Sequence, residues 1–356
     1  MLTARRPALP LAVIVHPRTV ADVARRFGWI RHIPPRLAER ALPLLPPFTI
    51  TTMKYTAGDR ETEVAFIACT ATSAQIRDGR GDPAAKLTAC LRLAVDNGAH
   101  LVALSGYLGS VHRKPGPTWT AGEDGKLLLA FWALRAVARL IGQPLMLSRV
   151  TVVSATEPAG VVMAHLVARE AAELVLVDRP GPRLDRLAAD ILDKTGTAAI
   201  LAPSLPPSGN RLVVAGGPRA AGFLTDAASV VSDQLHRSVI LDLGRPPYLS
   251  AIECGGFVFH GGAARLPDYL ALPPELGFPN RTACGAITEG LLLALNGERP
   301  RRKDGQPTLS GCDHIASLAR RHDIEFGALM RDNAIIAWRD VRNELPGTVA
   351  NDRLLQ

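Results

Sequence analysis

One of the five cysteines stands where a helix is predicted to begin. Cys284 follows the segment Asn280–Ala283, and the apolar residues after it recur at helical spacing. These residues are Ile287, Leu291, Leu292 and Leu295. Cys284 is therefore predicted in the first helical turn, where unpaired N–H groups and the helix dipole lower the pKa of a thiol and favour a thiolate. Arg281 would add positive charge nearby.

This setting makes Cys284 a candidate nucleophile. The alternative is a small buried core residue, which is the usual fate of a free cysteine. The same alternative is the interpretation for the other four cysteines, none of which has a comparable setting. They are Cys69, Cys90, Cys254 and Cys312.

A second candidate site is the turn Ser154–Gly160, which reads Ser-Ala-Thr-Glu-Pro-Ala-Gly after the predicted strand Val150–Val153. In a nucleotide-binding βαβ unit, the pyrophosphate sits on the helix N-terminus that such a turn opens. Gly160 matches the glycine needed for close packing. Glu157 would neutralise the positive helix end and oppose a phosphate. An ordinary helix start capped by Thr156 is the alternative interpretation.

The end of the next predicted strand, Leu174–Val177, carries an Asp-Arg pair. Asp178 lies about 20 residues beyond the turn, as expected for an acid that binds a ribose hydroxyl. Arg179 would instead bind a 2′-phosphate. A surface ion pair is the alternative.

The elements around these residues predict the fold class. From Arg149 onward, strands alternate with helices, which indicates βαβ units and an open, doubly wound Rossmann-like parallel sheet. The predicted strands are Val150–Val153, Leu174–Val177, Ala198–Leu201, Arg211–Ala215 and Val239–Leu243. The predicted helices among them are Pro158–Ala172 and Arg183–Thr195.

An N-terminal α/β region precedes this sheet. Its predicted elements are a strand at Leu11–Val15, a helix at Thr19–Phe27, a hairpin of Phe48–Tyr55 and Glu63–Cys69, a helix near Pro83–Asp96 and a strand at Leu101–Leu104. The helix Leu127–Leu140 would connect two domains, and the tail holds helices at Ala283–Asn296 and Cys312–Arg321. We expect an α/β substrate domain at 1–126, a dinucleotide-binding domain at 127–270, and a C-terminal helical segment at 271–356 that carries Cys284.

Composition excludes several classes of protein. The 356 residues are 47% hydrophobic and 21% charged, which argues against disorder. The cysteines show neither the pairing of a disulfide framework nor the spacing of zinc ligands, so a reducing, cytoplasmic location and no metal are expected. No apolar stretch is long enough to span a membrane, and Pro10 interrupts the only stretch resembling a signal peptide. A peripheral membrane association stays open, and no nucleic-acid motif is present.

The chain is basic, with a net charge of +8 and a pI near 9.6. This favours an acidic partner or a phosphate-bearing substrate, with a basic surface that has no partner as the alternative. A cationic cluster beyond the Cys284 helix is a candidate docking face. It consists of Arg299, Arg301, Arg302 and Lys303.

At this point the chain resembles a family, the cyanobacterial-type long-chain acyl-[acyl carrier protein] reductases. The resemblance rests on short motifs in their shared order over nearly the whole chain. They are Ala283-Cys284, Leu291–Leu293 and Asn296-Gly297 around the cysteine, with His16-Pro17-Arg18, Phe66–Cys69, Ala103–Tyr107, Thr120–Gly122, Val152–Gly160, Leu176–Arg179, Asp242–Pro246, Gly261-Gly262 and Thr308–Ala328 elsewhere.

The resemblance implies an enzyme that attacks a fatty acyl thioester, of acyl carrier protein or coenzyme A, and reduces the acyl-enzyme with NADPH to an aldehyde. Cys284 would be the catalytic nucleophile. The implied cofactor-binding residues are Ser154, Thr156, Gly160, Asp178, Arg179 and Gly122. Three positions depart from the family pattern: the turn 154–160 lacks two glycines, Glu123 replaces an asparagine, and Ile287 stands where a glutamate is usual, with Glu289 nearby.

Two other functions compete with this one. A non-catalytic homologue would bind a partner reductase or a carrier protein, which the altered turn favours and the helix-opening cysteine opposes. An alcohol or quinate-type dehydrogenase would use a Lys/Asp pair, for which Lys126 and Asp124 are the candidates.

Overall fold

The computed structural model describes residues 8–111, 118–206, 211–224, 238–244, 247–249, 256–279, 281–300, 306–332 and 334–345. Its strands are β1 (Leu11–Val15), β2 (Phe48–Ala57), β3 (Arg60–Ala68), β4 (Leu101–Leu104), β5 (Trp119–Thr120), β6 (Arg149–Val153), β7 (Glu173–Val177), β8 (Ile200–Ala202), β9 (Leu212–Ala215), β10 (Val239–Asp242), β11 (Phe257–Phe259), β12 (Gly261–Arg265), β13 (Thr282–Cys284), β14 (Glu325–Arg331) and β15 (Ala334–Ile336).

The α-helices are α1 (Val20–Arg26), α2 (Pro35–Ala41), α3 (Ser73–Arg77), α4 (Pro83–Asp96), α5 (Leu108–Val111), α6 (Glu123–Leu140), α7 (Pro158–Ala168), α8 (Pro182–Thr195), α9 (Gly285–Leu295), α10 (Leu309–Arg321) and α11 (Trp338–Glu344). Helix α6 begins four residues before the predicted start, because Glu123 and Asp124 in its first turn complement the helix dipole. Helix α7 ends at Ala168, before the predicted end at Ala172.

The chain divides into two compact units. Unit 1 comprises Met1–Gly125, Ala264–Gly305 and His314–Glu325, and unit 2 comprises Lys126–Ala263, Gln306–Asp313 and Phe326–Gln356. The first division falls at Gly125, beside the expected boundary at 126. Residues 271–356, which the sequence analysis groups as one helical segment, are shared between the two units.

Unit 1 is built on a five-stranded sheet of order β2-β3-β1-β4-β5, in which β2 pairs antiparallel with β3 and the other pairs are parallel. Side chains alternate between the two faces of its buried strands. Ile14 packs with Leu87 of α4 in one apolar cluster. On the other face, Leu11 and Ala103 lie against α9, where a Cβ on Gly290 would come within 2.7 Å of the Ala103 side chain.

Unit 2 is built on a six-stranded sheet of order β11-β10-β9-β6-β7-β8, in which every pair is parallel. The buried strands β6, β7, β9 and β10 are almost wholly apolar, as parallel strands covered on both faces must be. The chain runs outward from β6 through β7 to β8, then returns to β9 on the other side of β6. The mixed α/β fold with a doubly wound parallel sheet is confirmed.

Candidate active site and nucleotide-binding loop

Cys284 ends β13 and is the N-cap residue of α9, with an extended backbone at φ −73° and ψ 161°. The prediction placed it in the first turn, one residue further along. As the N-cap residue, Cys284 directly precedes the unpaired N–H groups of that turn, and its side chain makes no capping hydrogen bond to them. Cys284 is half-buried, whereas Cys69, Cys90 and Cys312 are buried, and Cys254 lies outside the described residues. Among the described cysteines, Cys284 is therefore the most exposed residue.

Arg281 does not supply a free positive charge beside this thiol. Its guanidinium donates to the carboxylate of Asp268, so much of its charge is offset. Its backbone lies in the left-handed region at φ 58°. Arg281 therefore forms an ion pair with Asp268 rather than standing as a free cation before β13.

Gly122 fits against the first turn of α9 because it has no side chain. A Cβ at Gly122 would lie 2.2 Å from Cα of Ala286, and its backbone has a φ of 71°, which favours glycine. Its N–H donates to the Thr120 hydroxyl at 2.8 Å. The segment Thr120–Gly122, which begins with the last residue of β5, therefore packs on the turn that Cys284 opens.

Glu289 is the site residue that the sequence analysis passed over as a nearby acid. It lies within the otherwise apolar helix α9 and is only 4% exposed. The Thr120 hydroxyl donates to its Oε1, and the N–H of Gly125 donates to its Oε2 at 2.7 Å. A buried acid on an apolar helix needs such hydrogen-bond partners. The position of Glu289 within the apolar run after Cys284 was therefore the sequence signal that could have identified it.

Burial raises the pKa of Glu289 to about 7. The hydrogen bonds from Thr120 and Gly125 oppose this rise, while the nearby acids Asp124 and Glu123 add to it. Glu289 therefore exchanges its proton near neutral pH. It is hydrogen-bonded to Thr120 of the segment 120–122, which packs on the first turn of α9.

His16 joins two loops at the carboxyl edge of the unit 1 sheet. The N–H of Tyr107 approaches its Nε2 at 3.4 Å, and its Nδ1 lies 3.2 Å from the Pro17 carbonyl oxygen and 3.4 Å from the Ser73 hydroxyl. A Cβ on Gly106 would lie 2.1 Å from Nε2. Desolvation lowers the pKa of His16 to about 4 against the opposing effect of the Pro17 hydrogen bond, so the ring is neutral at physiological pH.

The turn after β6 in unit 2 begins with a residue in the left-handed region of backbone conformation and ends with a closely packed glycine. Ser154, its first residue, adopts φ 55°. Gly160 packs so closely that a Cβ there would lie 2.5 Å from the Ser154 carbonyl oxygen, the close-packing role that the sequence analysis assigns to it. The Ser154 hydroxyl is buried and has no hydrogen-bond partner among the described residues.

Asp178 binds this turn. The backbone N–H and the hydroxyl of Thr156 donate to its Oδ2 at 2.9 and 2.7 Å, and the N–H of Arg179 donates to its Oδ1 at 2.8 Å. Thr156 is thus not the helix cap; Glu157 is the N-cap residue of α7. The Thr156 hydroxyl binds Asp178 because a carboxylate is a strong acceptor. The predicted ribose-binding carboxylate is 1% exposed and engaged by the loop itself.

Arg219 completes this cluster, and the sequence analysis did not single it out. Its Nε donates to Glu157 Oε1 at 3.0 Å, and its Nη1 lies 3.2 Å from Asp178 Oδ1. Its Nη2 donates to the Thr156 hydroxyl at 3.1 Å and to Asp178 Oδ2 at 3.3 Å. Glu157, expected to neutralise the helix end and to oppose a phosphate, is thus paired with an arginine.

Burial opposes ionisation of Asp178, but the hydrogen bonds from Thr156 and Arg179 and the charge of Arg219 together outweigh it. They lower the pKa of Asp178 below its usual value. The carboxylate is thus ionised across the physiological range. Arg179 itself is exposed at the end of β7, open to a ligand on the solvent side.

These residues are compatible with a dinucleotide. Ser154 has a left-handed backbone, Gly160 packs closely, and the arginines Arg179 and Arg219 lie beside the turn. The strand order places the turn at the point where the chain reverses direction across the sheet, between β6 and β9. Ligands of doubly wound sheets bind in the crevice at this point.

The remaining predicted residues differ in burial, and some lie outside the described residues. Lys126, of the candidate Lys/Asp pair, is buried, 6% exposed. Arg299 of the candidate docking face is exposed, whereas Arg301, Arg302 and Lys303 lie outside the described residues. In the part of the chain that the structure describes, no three His, Cys, Asp or Glu side chains are grouped as a metal site. Nor does any helix of that part combine the length and apolarity needed to cross a bilayer.

No protein-family model matches the chain, and no curated protein matches it. Solved structures with a similar arrangement include a ligand-free form of 5-ketofructose reductase of Gluconobacter sp. strain CHM43. It is 14% identical at a TM-score of 0.32, over 88% of this chain and 98% of that one. Another is L-tryptophan dehydrogenase from Nostoc punctiforme, 12% identical at a TM-score of 0.29, over 89% of this chain and 80% of that one. Similarity at this level assigns no activity.

Proposed function

We propose that this protein is an oxidoreductase that reduces a fatty acyl thioester, carried by acyl carrier protein or coenzyme A, to an aldehyde. The observation that carries the proposal is the accessible Cys284 at the start of α9. It is the only described cysteine that is not buried, and the family resemblance points to the same residue.

The chemistry of this residue follows from its position. The Cys284 sulfur, as a thiolate, attacks the thioester carbonyl carbon, and the C–S bond to the carrier breaks, releasing the carrier thiol. The product is a thioester on Cys284. Backbone N–H groups in the first turn of α9 are suited to stabilise the oxyanion that develops during the attack. Splitting a difficult reduction into acyl transfer and reduction makes each step easier.

A nicotinamide dinucleotide, with NADPH preferred, would supply the hydride that converts the acyl-enzyme to an aldehyde. The residues proposed to hold it are Ser154, Thr156, Gly160, Asp178 and Arg179 of unit 2. Arg179 is the proposed 2′-phosphate contact because it is exposed and follows the buried acid of β7. Gly122 was also predicted to contact the cofactor; a Cβ there would lie 2.2 Å from Cα of Ala286 in α9.

The test is mass spectrometry of the protein incubated with a long-chain acyl-coenzyme A and no reductant. An adduct of one acyl group should form and map to Cys284. Adding NADPH should remove the adduct and yield aldehyde. Cys284→Ser should abolish both, a loss of at least about a thousandfold, because a serine hydroxyl without a neighbouring base is a much poorer nucleophile.

The matched control is Cys312→Ser, a buried cysteine of unit 2 that should acylate and turn over like the parent protein. An adduct mapped to any cysteine other than Cys284 would contradict the assignment of the nucleophile. Aldehyde formation by Cys284→Ser would contradict the covalent mechanism.

A second candidate function is that of a non-catalytic homologue that binds a partner reductase or a carrier protein. The observation that favours it is the pairing of Glu157 and Asp178 with Arg219, which satisfies the polar groups of the turn without a ligand. Fluorescence titration with NADPH separates the two functions. No binding by the parent protein, together with no acylation of Cys284, would favour this second candidate.

A further inference from the structure

Three loops of unit 2 meet at the switch point of its sheet. The turn 154–160 follows β6, Asp178 follows β7, and Gly216 and Gly217 follow β9. Cβ atoms at the two glycines would lie 2.6 Å from Cα of Gly160 and 2.4 Å from Cγ of Glu157. This packing brings the segment after β9 against the start of α7.

Arg219 is carried to the turn by this packing. It is the only cation with a described contact to the turn, and its three guanidinium nitrogens bind two acids and a hydroxyl there. The planar fork of arginine also matches the oxygens of a phosphate, which it can bind in the same bidentate manner.

The two acids that bind Arg219 differ in burial and in the number of their other hydrogen bonds. Asp178 is 1% exposed on its side chain and also receives hydrogen bonds from the Thr156 N–H, the Thr156 hydroxyl and the Arg179 N–H, so it is fixed. The Glu157 side chain is 29% exposed, and Arg219 is its one described ionic partner. A partly exposed pair of this kind contributes little free energy. A phosphate could therefore replace Glu157 at small cost.

We propose that Arg219 is the pyrophosphate-binding residue of unit 2 and that Glu157 is the internal counter-ion that the pyrophosphate displaces. A cation beside the helix start attracts the same anionic group that the bare N–H groups of the helix attract. This inference rests on the proposed function, since it assigns a residue to the dinucleotide site. It concerns binding alone and is independent of the Cys284 chemistry.

The proposal separates two phosphate contacts. The pyrophosphate is common to NADPH and NADH, whereas the 2′-phosphate is present in NADPH only. Arg219→Gln should therefore weaken the binding of both nucleotides by a similar factor, about tenfold or more, as expected for a lost charge-assisted contact. Arg179→Gln should weaken NADPH alone. Arg186→Gln, an exposed arginine on α8, is the matched control and should leave both affinities unchanged.

Glu157→Gln tests the counter-ion, and it avoids the risk that Arg219→Gln disturbs the fold. It should tighten both nucleotides several-fold, and the gain should vanish in the double variant Glu157→Gln/Arg219→Gln. The readouts are dissociation constants from calorimetry at two salt concentrations and the thermal stabilisation produced by inorganic pyrophosphate. Arg219→Gln should lower the salt dependence of binding and reduce the pyrophosphate effect.

Equal affinities for Arg219→Gln and Arg186→Gln would overturn the proposal, as would a gain from Glu157→Gln that persists without Arg219. Absence of nucleotide binding in both the parent protein and Glu157→Gln would also overturn it. Acylation of Cys284, measured in the same preparations without any nucleotide, reports separately on the proposed function.

Discussion

Two buried acids, one in each unit, behave in opposite ways. Glu289 of unit 1 lies on α9 and accepts hydrogen bonds from the Thr120 hydroxyl and from the Gly125 N–H in the first turn of α6. Asp178 of unit 2 follows β7 and accepts hydrogen bonds from the Thr156 hydroxyl and from the N–H groups of Thr156 and Arg179. Both are less than 5% exposed. The pKa of Glu289 is raised to about 7, whereas the pKa of Asp178 is lowered.

The difference lies in how far hydrogen bonds compensate the desolvation of each acid. At Glu289 desolvation is the largest effect, the bonds from Thr120 and Gly125 do not offset it, and the acids Asp124 and Glu123 add to it, so the proton is retained. At Asp178 the three hydrogen bonds from Thr156 and Arg179, with a smaller contribution from the charge of Arg219, outweigh desolvation, so the ionised form is preferred. The number of hydrogen bonds to the carboxylate therefore separates the two acids, and the neighbouring cation adds to the difference.

The substitution with the largest expected effect on stability is Glu289→Ala in unit 1. It leaves the Thr120 hydroxyl and the Gly125 N–H buried without their acceptor. Each such donor lowers the free energy of unfolding by about 1–3 kcal/mol. We expect a loss of roughly 3 kcal/mol or more in the free energy of unfolding, measured in urea. Glu275→Ala, an exposed acid of unit 1, is the control and should change it by less than about 0.5 kcal/mol. A loss below about 1 kcal/mol for Glu289→Ala would contradict the role assigned to these bonds.

The two acids are expected to change the free energy of unfolding with pH in opposite directions. The folded-state pKa of Glu289 lies above its ordinary value of 4.5, so its contribution is full below pH 4.5 and is lost as the pH rises through about 7. The corresponding change is roughly 3 kcal/mol. Glu289→Gln, whose amide mimics the protonated acid, should abolish this loss, as measured by urea unfolding between pH 4.5 and 8.

Asp178→Asn should change the pH dependence of the free energy of unfolding in the opposite direction. The folded-state pKa of Asp178 lies below its ordinary value of 3.8, so its contribution is present above pH 3.8 and is lost as the pH falls through the lowered value. The variant should therefore be less stable than the parent protein at neutral pH, and the two should converge on acidification. Parallel pH profiles for Glu289→Gln and Asp178→Asn would show that the two acids are not opposites.

The smallest expected effect tests the turn itself. Ser154 holds a left-handed backbone and a buried hydroxyl without a described partner, and glycine removes both costs. Ser154→Gly should raise the free energy of unfolding by about 1 kcal/mol. Ser148→Gly, at a buried serine whose hydroxyl donates to the carbonyls of Gln143 and Pro144, should lower it. A decrease for Ser154→Gly would mean that its hydroxyl has a stabilising role.

Local patterns predicted much of the fold and part of the site. The alternation of apolar strands and helices indicated the parallel sheet, since buried parallel strands and amphipathic helices have distinct periods. The position of Cys284 followed from the apolar spacing after it, correct to one residue. Gly160 was identified because close packing at the start of α7 demands a glycine at that step of the chain.

Only the tertiary structure revealed which residues surround these positions. Glu289 and Thr120 are 169 residues apart, and Arg219 and Glu157 are 62 apart, so no local pattern links them. In a parallel sheet, neighbouring strand ends are joined by long crossovers, and groups that touch at one edge are distant in sequence. The sequence by itself determined most strands of the two larger sheets, their main helices and the cysteine that opens α9. The charge state of Glu289 and the pairing of Glu157 with Arg219 were decided by which segments the folded chain brings together.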